Sequence, residues 1–118
     1  MMKTYAEYGF GLVLCSPDEI KDLLERHDLE EVYDLTERCC NVQFYRDDAE
    51  GLAFSLPDYS ETIYPDRMLV FMSEKCPNPF RAVYTGMEDL IREFSWLHMP
   101  EGFDWKAHIG WYQAVVSR

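Results

Sequence analysis

The chain lacks the features that would tie it to a membrane or to a disulfide framework. Its apolar runs fall far short of the ~20 residues that span a bilayer, and no apolar core of a cleavable signal follows the N-terminus. Its four cysteines form no Cys-x-x-Cys pair, and Cys39 and Cys40 are adjacent. We therefore expect a cytoplasmic protein with reduced thiols and no membrane partner.

Motifs for metal, phosphate or covalent chemistry are also missing. Residues 47–50 carry three carboxylates without EF-hand spacing, and no cysteine and histidine have zinc-finger intervals. Gly9 and Gly11 lie inside a predicted strand, which indicates a bulge or a close backbone approach rather than a phosphate loop. Cys15 and Cys76 are the candidate nucleophiles of a cysteine-based enzyme, the alternative being buried small side chains. We expect no metal, no cofactor and no enzymatic activity.

Basic residues are scarce where acidic residues are dense. Residues 18–66 contain 15 acidic and 4 basic side chains and the rest contains seven of each, so this stretch accounts for the whole net charge of −11. A field of this sign opposes direct binding to nucleic acid or to anionic membranes. It complements a basic protein, which we expect as the partner.

Hydrophobic periodicity predicts a single α+β domain over residues 1–118. Strands are predicted at 8–14, 42–45, 52–56, 68–72 and 109–116, and helices after Ser16, Asp28 and Thr85. The order β-α-α-β-β-β-α-β favours two layers, a mainly antiparallel five-stranded sheet with the helices on one face. Residues 47–51 are predicted to form a hairpin loop, and residues 57–66 a longer loop.

Two capping boxes are predicted at the starts of the first two helices. Ser16 pairs with Glu19 in the first box, and Asp28 pairs with Glu31 in the second. The apolar stripe changes phase before Leu29, so the chain should bend near Asp28 rather than continue as one helix.

Acidic residues recur at helical spacing on both of these helices, away from the apolar stripe. Carboxylates three and four positions apart stand ~5–6 Å from one another, on the scale of successive phosphates in a nucleic-acid strand, which rise ~3.4 Å each. Such rows would imitate a phosphate backbone, and the alternative is a solvated face softened by pairs such as Asp22 with Arg26. The candidates are Asp18, Asp22 and Glu25 on the first helix and Glu30, Glu31, Asp34 and Glu37 on the second.

A second acidic group falls in the predicted loops and is interleaved with tyrosines. Tyrosine beside carboxylates is typical of protein interfaces, because the ring supplies contact area while the charge steers the encounter. The alternative is an ordinary polar loop with its tyrosines folded onto the sheet. The group comprises Asp47, Asp48, Glu50, Asp58, Tyr59, Glu61, Tyr64 and Asp66.

Charge and size favour a non-enzymatic inhibitor of a basic nucleic-acid-binding protein such as a nuclease. Two settings fit: a phage or mobile-element inhibitor of the anti-CRISPR type, since CRISPR effectors have positively charged channels, or an immunity protein against a nuclease toxin. The alternatives are an adaptor whose acidity maintains solubility, and a small enzyme or ligand-binding domain with an aromatic pocket near Trp105. Phe103 and Trp111 would line that pocket, or would instead be core residues or a homodimer contact.

Overall fold

The computed structural model describes residues 3–39, 41–46, 49–73 and 86–117, which form an antiparallel sheet and three α-helices in these ranges. The elements are β1 (Thr4–Leu14), α1 (Pro17–Arg26), α2 (Val32–Arg38), β2 (Val42–Tyr45), β3 (Ala49–Ser55), β4 (Thr62–Ile63), β5 (Met68–Met72), α3 (Met87–Glu93), a 3-10 turn (Trp105–Ala107) and β6 (Ile109–Ser117). The α+β class and the predicted element order are confirmed. Within the described residues the sheet has six strands rather than five, because the short β4 pairs with β3 inside the segment predicted as a loop.

Strand order across the sheet is β2-β5-β1-β6-β3-β4, and every neighbouring pair is antiparallel. Leu12 of β1, near the middle of the sheet, faces Phe71 of β5 on one side and Ile109 of β6 on the other. The predicted hairpin between the strands at 42–45 and 52–56 is wrong, since three strands separate β2 from β3. Residues 47–51 have a hairpin composition, but β2 pairs with β5 and β3 pairs with β6.

The sheet is strongly curled, as the short connections between distant strands require. Tyr45 ends β2 and Ala49 begins β3 four residues later, a reach of at most ~14 Å. Across a flat sheet these strands would stand ~19 Å apart, at ~4.8 Å for each strand step. The Tyr45 hydroxyl donates to Glu7 of β1 at 2.5 Å, and its ring lies 6.3 Å from that of Tyr112 on β6. The inside of the curl is therefore a packed apolar interior.

Glycines in the middle strands allow neighbouring backbones to come close. A Cβ on Gly11 would lie 2.3 Å from the carbonyl oxygen of Phe71, and a Cβ on Gly110 would lie 2.1 Å from that of Ser55. Neither position admits a side chain unless a strand moves. The predicted close backbone approach within β1 is confirmed at Gly11.

Buried side chains form two clusters, one on each face of the sheet. The helix-side cluster holds the buried residues of all three helices, and the second fills the inside of the curl. The helix-side cluster consists of Phe10, Leu12, Leu14, Ile20, Leu23, Leu24, Leu35, Val42, Leu69, Phe71, Leu90, Phe94, Leu97 and Ile109. The inner cluster consists of Val13, Tyr45, Leu52, Phe54, Met68, Val70, Tyr112, Ala114 and Val116. Alternate residues of β5 reach both clusters, as its doubly apolar pattern predicts.

The predicted bend near Asp28 is confirmed, and its geometry is that of a Schellman motif. Asp28 has φ +55°. Its amide donates to the Glu25 carbonyl at 3.1 Å, and the Leu29 amide donates to the Leu24 carbonyl at 2.8 Å. Leu29 then packs against the helix-side cluster, which is the apolar contact that accompanies this motif. Asp28 therefore terminates α1 rather than starting α2.

The predicted capping boxes differ from those in the structure. The box of α2 lies three residues later, with Glu31 as N-cap and Asp34 as its reciprocal partner. Ser16 precedes α1 with extended backbone but makes no side-chain cap, and Glu19 instead contacts His108. The Thr85 expected to cap α3 lies outside the described residues, and Gly86 occupies the cap position. Within the described ranges, no helix combines the length and apolar character that crossing a membrane requires.

Candidate protein-binding surface

The first acidic row lies on the outward side of α1, opposite the buried face. Asp18 and Glu25 are exposed, and Asp22 is half-buried. Arg26 donates through Nε to Asp22 at 2.7 Å, which is the i,i+4 pair expected from the sequence. Asp22 is therefore partly neutralised, whereas Asp18 and Glu25 have no ion pair with any described residue.

The second row is only partly on α2, because Glu30 precedes the helix and Glu31 is its N-cap, so their predicted helical positions are corrected. Two of its carboxylates also have structural roles. Asp34 accepts a hydrogen bond from the Glu31 amide at 3.1 Å and so closes the capping box. A hydrogen bond to Glu37 raises the pKa of the exposed Tyr33. Glu30, Glu31 and Glu37 are exposed, and Asp34 is half-buried. The negative charge of α2 is therefore concentrated at its N-terminal end and along one exposed side.

Few carboxylates between residues 18 and 66 are neutralised by a cation within the described chain. Asp22 pairs with Arg26, and the Glu19 carboxylate lies 2.8 Å from a ring nitrogen of His108. The other acidic residues described in this stretch have no ion pair there. By contrast, two carboxylates of α3 are held by Lys106 and Arg92. The charge segregation of the sequence therefore persists as an uncompensated negative surface on the folded protein.

The corner between α1 and α2 contains a shallow depression of about 510 Å³. Most of its charged lining is acidic, and Arg38 is the cation among the lining residues. The lining residues are Asp28, Leu29, Glu30, Asp34, Glu37 and Arg38. Three carboxylates of the second row thus line this corner together with Asp28, and a basic side chain from another protein would be attracted by them.

The loop group lies around β3 and β4, and one of its members is not in a loop. Glu50 belongs to β3, so its predicted hairpin position is corrected. The Asp58 carboxylate accepts hydrogen bonds from the Ser60 hydroxyl and amide at 2.6 and 2.9 Å, which lower the pKa of Asp58. Tyr59 has φ +57°, is 66% exposed and stacks on Trp111 with an interplanar angle of 10°.

The remaining loop candidates are exposed. The strands beside them, β3 and β4, lie at the end of the strand order opposite to β2, on which α2 packs. Tyr64 is 79% exposed, and Glu61 and Asp66 are also exposed. Asp47 and Asp48 lie outside the described residues. α2 packs on β2 at one edge of the sheet, whereas residues 56–61 connect β3 to β4 at the other edge. The helical rows and the loop group are therefore attached to opposite ends of the strand order.

The candidate cysteine nucleophile at the start of α1 is unsuited to that role. Burial, with a contribution from Glu19, raises the pKa of Cys15 to about 11, so its thiol is protonated at neutral pH. Cys76 lies outside the described residues. Among the residues that are described, no three metal-ligating side chains come together.

The aromatic segment before β6 packs against the helix-side cluster. Phe103 and Trp105 meet edge to face at 5.2 Å, and both pack against the helix-side cluster. The ring nitrogens of His108 lie 2.7 Å from the Asp104 carbonyl and 2.8 Å from the Glu19 carboxylate. This segment therefore fastens the start of α1 to the sheet, as the core interpretation of these aromatics implies.

A histidine cluster between α1 and the segment after α3 has no counterpart in the sequence analysis. The rings of His27 and His98 stack at 4.7 Å, and the His98 amide donates to Nε2 of His27 at 3.1 Å. Burial, followed by the charges of His98 and Arg38, lowers the pKa of His27. Its partner lies 71 residues away, so no local sequence signal indicates the contact.

Comparison with known proteins finds no relative, so the inference of function depends on the fold and its surfaces. No protein-family model matches the chain, no curated protein matches it, and no solved structure matches it.

Proposed function

We propose that this protein is a non-enzymatic inhibitor that binds a basic, nucleic-acid-binding protein through the acidic surface of α1 and α2. The observation that carries the proposal is the set of exposed carboxylates on these helices that have no ion pair within the described chain. Uncompensated charge of one sign on a rigid face steers oppositely charged partners. The raised pKa of Cys15 disfavours that thiol as a catalytic nucleophile.

The helical rows also suit imitation of nucleic acid. Asp18, Asp22 and Glu25 on α1, and Asp34 and Glu37 on α2, recur at helical spacing of ~5–6 Å. A nucleic-acid-binding channel presents basic groups placed to contact successive phosphates. A partner such as a nuclease would then be blocked by occupation of its channel. An inhibitor from a phage or mobile element and an immunity protein against a nuclease toxin are the two settings, both with a cytoplasmic location.

Charge reversal tests the proposal without disturbing the core. Glu25, Glu30 and Glu37 are exposed, so their joint replacement by lysine should leave the fold intact and slow association by about tenfold or more. A variant with Glu50, Glu61 and Asp66 changed to lysine has the same change in net charge, so comparing the two variants shows whether the helices or the loop group contribute the steering charge. Circular dichroism and thermal melting establish that both variants are folded.

The measurement begins with capture of partners from a host lysate at low and high salt, followed by binding kinetics with the purified partner. We expect a basic partner, salt-sensitive capture, and competition by added DNA or RNA. Two results would contradict the proposal. The helix variant could bind with unchanged kinetics, or the partner could hold the protein and nucleic acid together in a ternary complex.

A further inference from the structure

A groove runs between α2 and the edge strand β2, with a volume of about 760 Å³. Apolar side chains form its floor and polar or charged side chains form its rim. The floor consists of Leu24, Val32, Val42 and Phe44, and the rim of Glu30, Glu31, Tyr33, Thr36, Gln43 and Arg46. Its size falls within the ~300–1,000 Å³ typical of ligand sites.

The backbone of β2 can be assigned by alternation along the strand. The Met72 amide donates to the Asn41 carbonyl at 2.9 Å, so Asn41 and Met72 form a hydrogen-bonded pair. In an antiparallel ladder such pairs alternate, so Gln43 and Tyr45 direct their backbone groups toward β5. Val42 and Phe44 therefore direct their N–H and C=O groups away from the sheet, along the side where the groove lies.

An independent contact supports this alternation. The Val13 amide of β1 donates to the His108 carbonyl at 2.8 Å, on the β6 side. Leu12 of β1 therefore pairs through hydrogen bonds with Phe71 of β5, its partner in the register. The backbone N–H and C=O of Phe71 then point toward β1, and those of Met72 point toward β2, as the Met72–Asn41 hydrogen bond requires. Within the described ranges no strand pairs with the outer edge of β2.

We propose that this groove binds an extended, basic segment of the partner protein, which adds as a strand to the outer edge of β2. The inference rests on the proposed function and names where and how the partner is held. Strand addition supplies main-chain hydrogen bonds, and pockets for alternate side chains supply specificity. Here the side chains of Val42 and Phe44 contribute the apolar floor that serves as the pocket. The backbone groups of the same two residues point outward and would bond the added strand.

The charges at the groove select a basic occupant. Glu30 and Glu31 lie on the rim, and Glu30 also lines the acidic depression at the α1–α2 corner. Arg46 is the cation of the rim, and its guanidinium lies 5.7 Å from the centre of the Phe44 ring. A second copy of this chain would bring its own Glu30 and Glu31 against these carboxylates. Charge complementarity therefore favours a partner segment with lysine or arginine two positions from an apolar residue. At that spacing the basic and apolar side chains lie on one face of the strand and face the groove together.

A synthetic peptide tests the inference directly. The probe is capped Thr-Lys-Thr-Val-Thr-Lys-Thr, whose valine and lysines share one face of a strand. Amide exchange is followed by NMR on the full protein. The Val42 and Phe44 amides should exchange rapidly in the free protein and at least tenfold more slowly in the complex, whereas Gln43 and Tyr45 should be protected in both. The same peptide with glutamate in place of lysine is the charge control.

Matched variants locate the binding. Glu30→Lys should weaken peptide binding about tenfold, while Glu101→Lys, at an exposed turn away from the groove, should leave it unchanged. Phe44→Pro removes an outward N–H that the ladder does not use and should abolish binding. Phe44→Ala controls for the lost ring, and thermal melting confirms that each variant is folded.

The outcomes separate this inference from the proposed function. Equal binding of the glutamate peptide, self-association of the protein through β2, or no protection at Val42 and Phe44 with millimolar peptide would each overturn the inference. If these results accompany loss of partner capture in the helix charge-reversal variant, the proposed function stands and the strand-addition mode falls. If capture is also unaffected by charge reversal, both fall.

Discussion

Replacement of Asp28 by glycine should stabilise the protein, because Asp28 holds a left-handed backbone at the end of α1. A residue other than glycine in this conformation costs ~1–2 kcal/mol, and aspartate is among the residues that tolerate it best. Glycine loses more backbone entropy on folding than aspartate, and this loss offsets ~0.5–1 kcal/mol of the relieved strain. Removal of a carboxylate from the negative end of the helix dipole gains ~0.3–1 kcal/mol. The net expectation is a stabilisation of about 1 kcal/mol.

Thermal unfolding measures this effect at a useful scale. For a chain of 118 residues the unfolding entropy is ~250 cal/mol/K, so about 1 kcal/mol corresponds to a rise of ~4 °C in melting temperature. Asp28→Asn isolates the charge contribution, because asparagine also tolerates the left-handed region. Lys21→Gly, at an exposed position inside α1, should instead cost about 1 kcal/mol. If Asp28→Gly destabilises as much as Lys21→Gly, the Schellman assignment is refuted.

Three further predictions concern the histidine cluster, the middle of the sheet and the exposed tyrosines. Because the pKa of His27 is lowered from 6.5 in the folded protein, the unfolded chain binds more protons at pH values below ~6.5. The free energy of unfolding should therefore fall as pH decreases below ~6.5. Denaturant titrations of His27→Gln should show a weaker fall. Gly110→Ala should lower the free energy of unfolding in urea by about 2–3 kcal/mol, because the new methyl group clashes with a strand backbone. Gly102→Ala has open space around it and should cost only the ~1 kcal/mol of its positive φ. Equal costs would contradict the crowding argument. Tyr59→Ala and Tyr64→Ala, both at exposed side chains, should each leave the melting temperature within a few degrees; if the loop group also contacts the partner, each should weaken binding by upwards of 2 kcal/mol, and unchanged off-rates in surface plasmon resonance would exclude an anchoring role.

Local sequence patterns predicted the elements well where one periodicity dominated. The bounds of β2 and β5 match the predicted 42–45 and 68–72, because each strand is short, apolar and flanked by residues that leave the pattern. The break between α1 and α2 was predictable from the phase of the apolar stripe. Its residue-level geometry was not, since Asp28 suits an N-cap and a left-handed C-terminal position equally well.

Long-range pairing decided the features that local patterns could not predict. The hairpin prediction failed because a turn-like composition between β2 and β3 says nothing about which strands lie between them in the sheet. β4 was missed because two residues carry no periodicity, and its pairing with β3 exists only once the loop folds back. The Glu19 carboxylate serves His108, 89 residues away, rather than the capping box that its position suggests.

The candidate surface was predictable as charge but not as shape. Spacing alone placed Asp18, Glu25 and Glu37 on outward helix faces, because the same periodicity that buries the apolar stripe exposes the opposite side. Glu30 is exposed as expected but precedes α2. The groove beside β2 depends on the strand being an edge, which only the sheet order reveals. Val42 and Phe44 were recognised as strand residues, yet their outward backbone groups follow from the ladder with β5.

The separation of buried and exposed roles on α1 and α2 makes the functional proposals open to clean tests. Their inner faces contribute Ile20, Leu23, Leu24 and Leu35 to the helix-side cluster, and these contacts supply most of the helices' stability, since short helices are marginal on their own. The outer carboxylates contribute little to that packing and repel one another. Their replacement should therefore preserve the fold, so that any loss of partner binding in such variants reports on the surface itself.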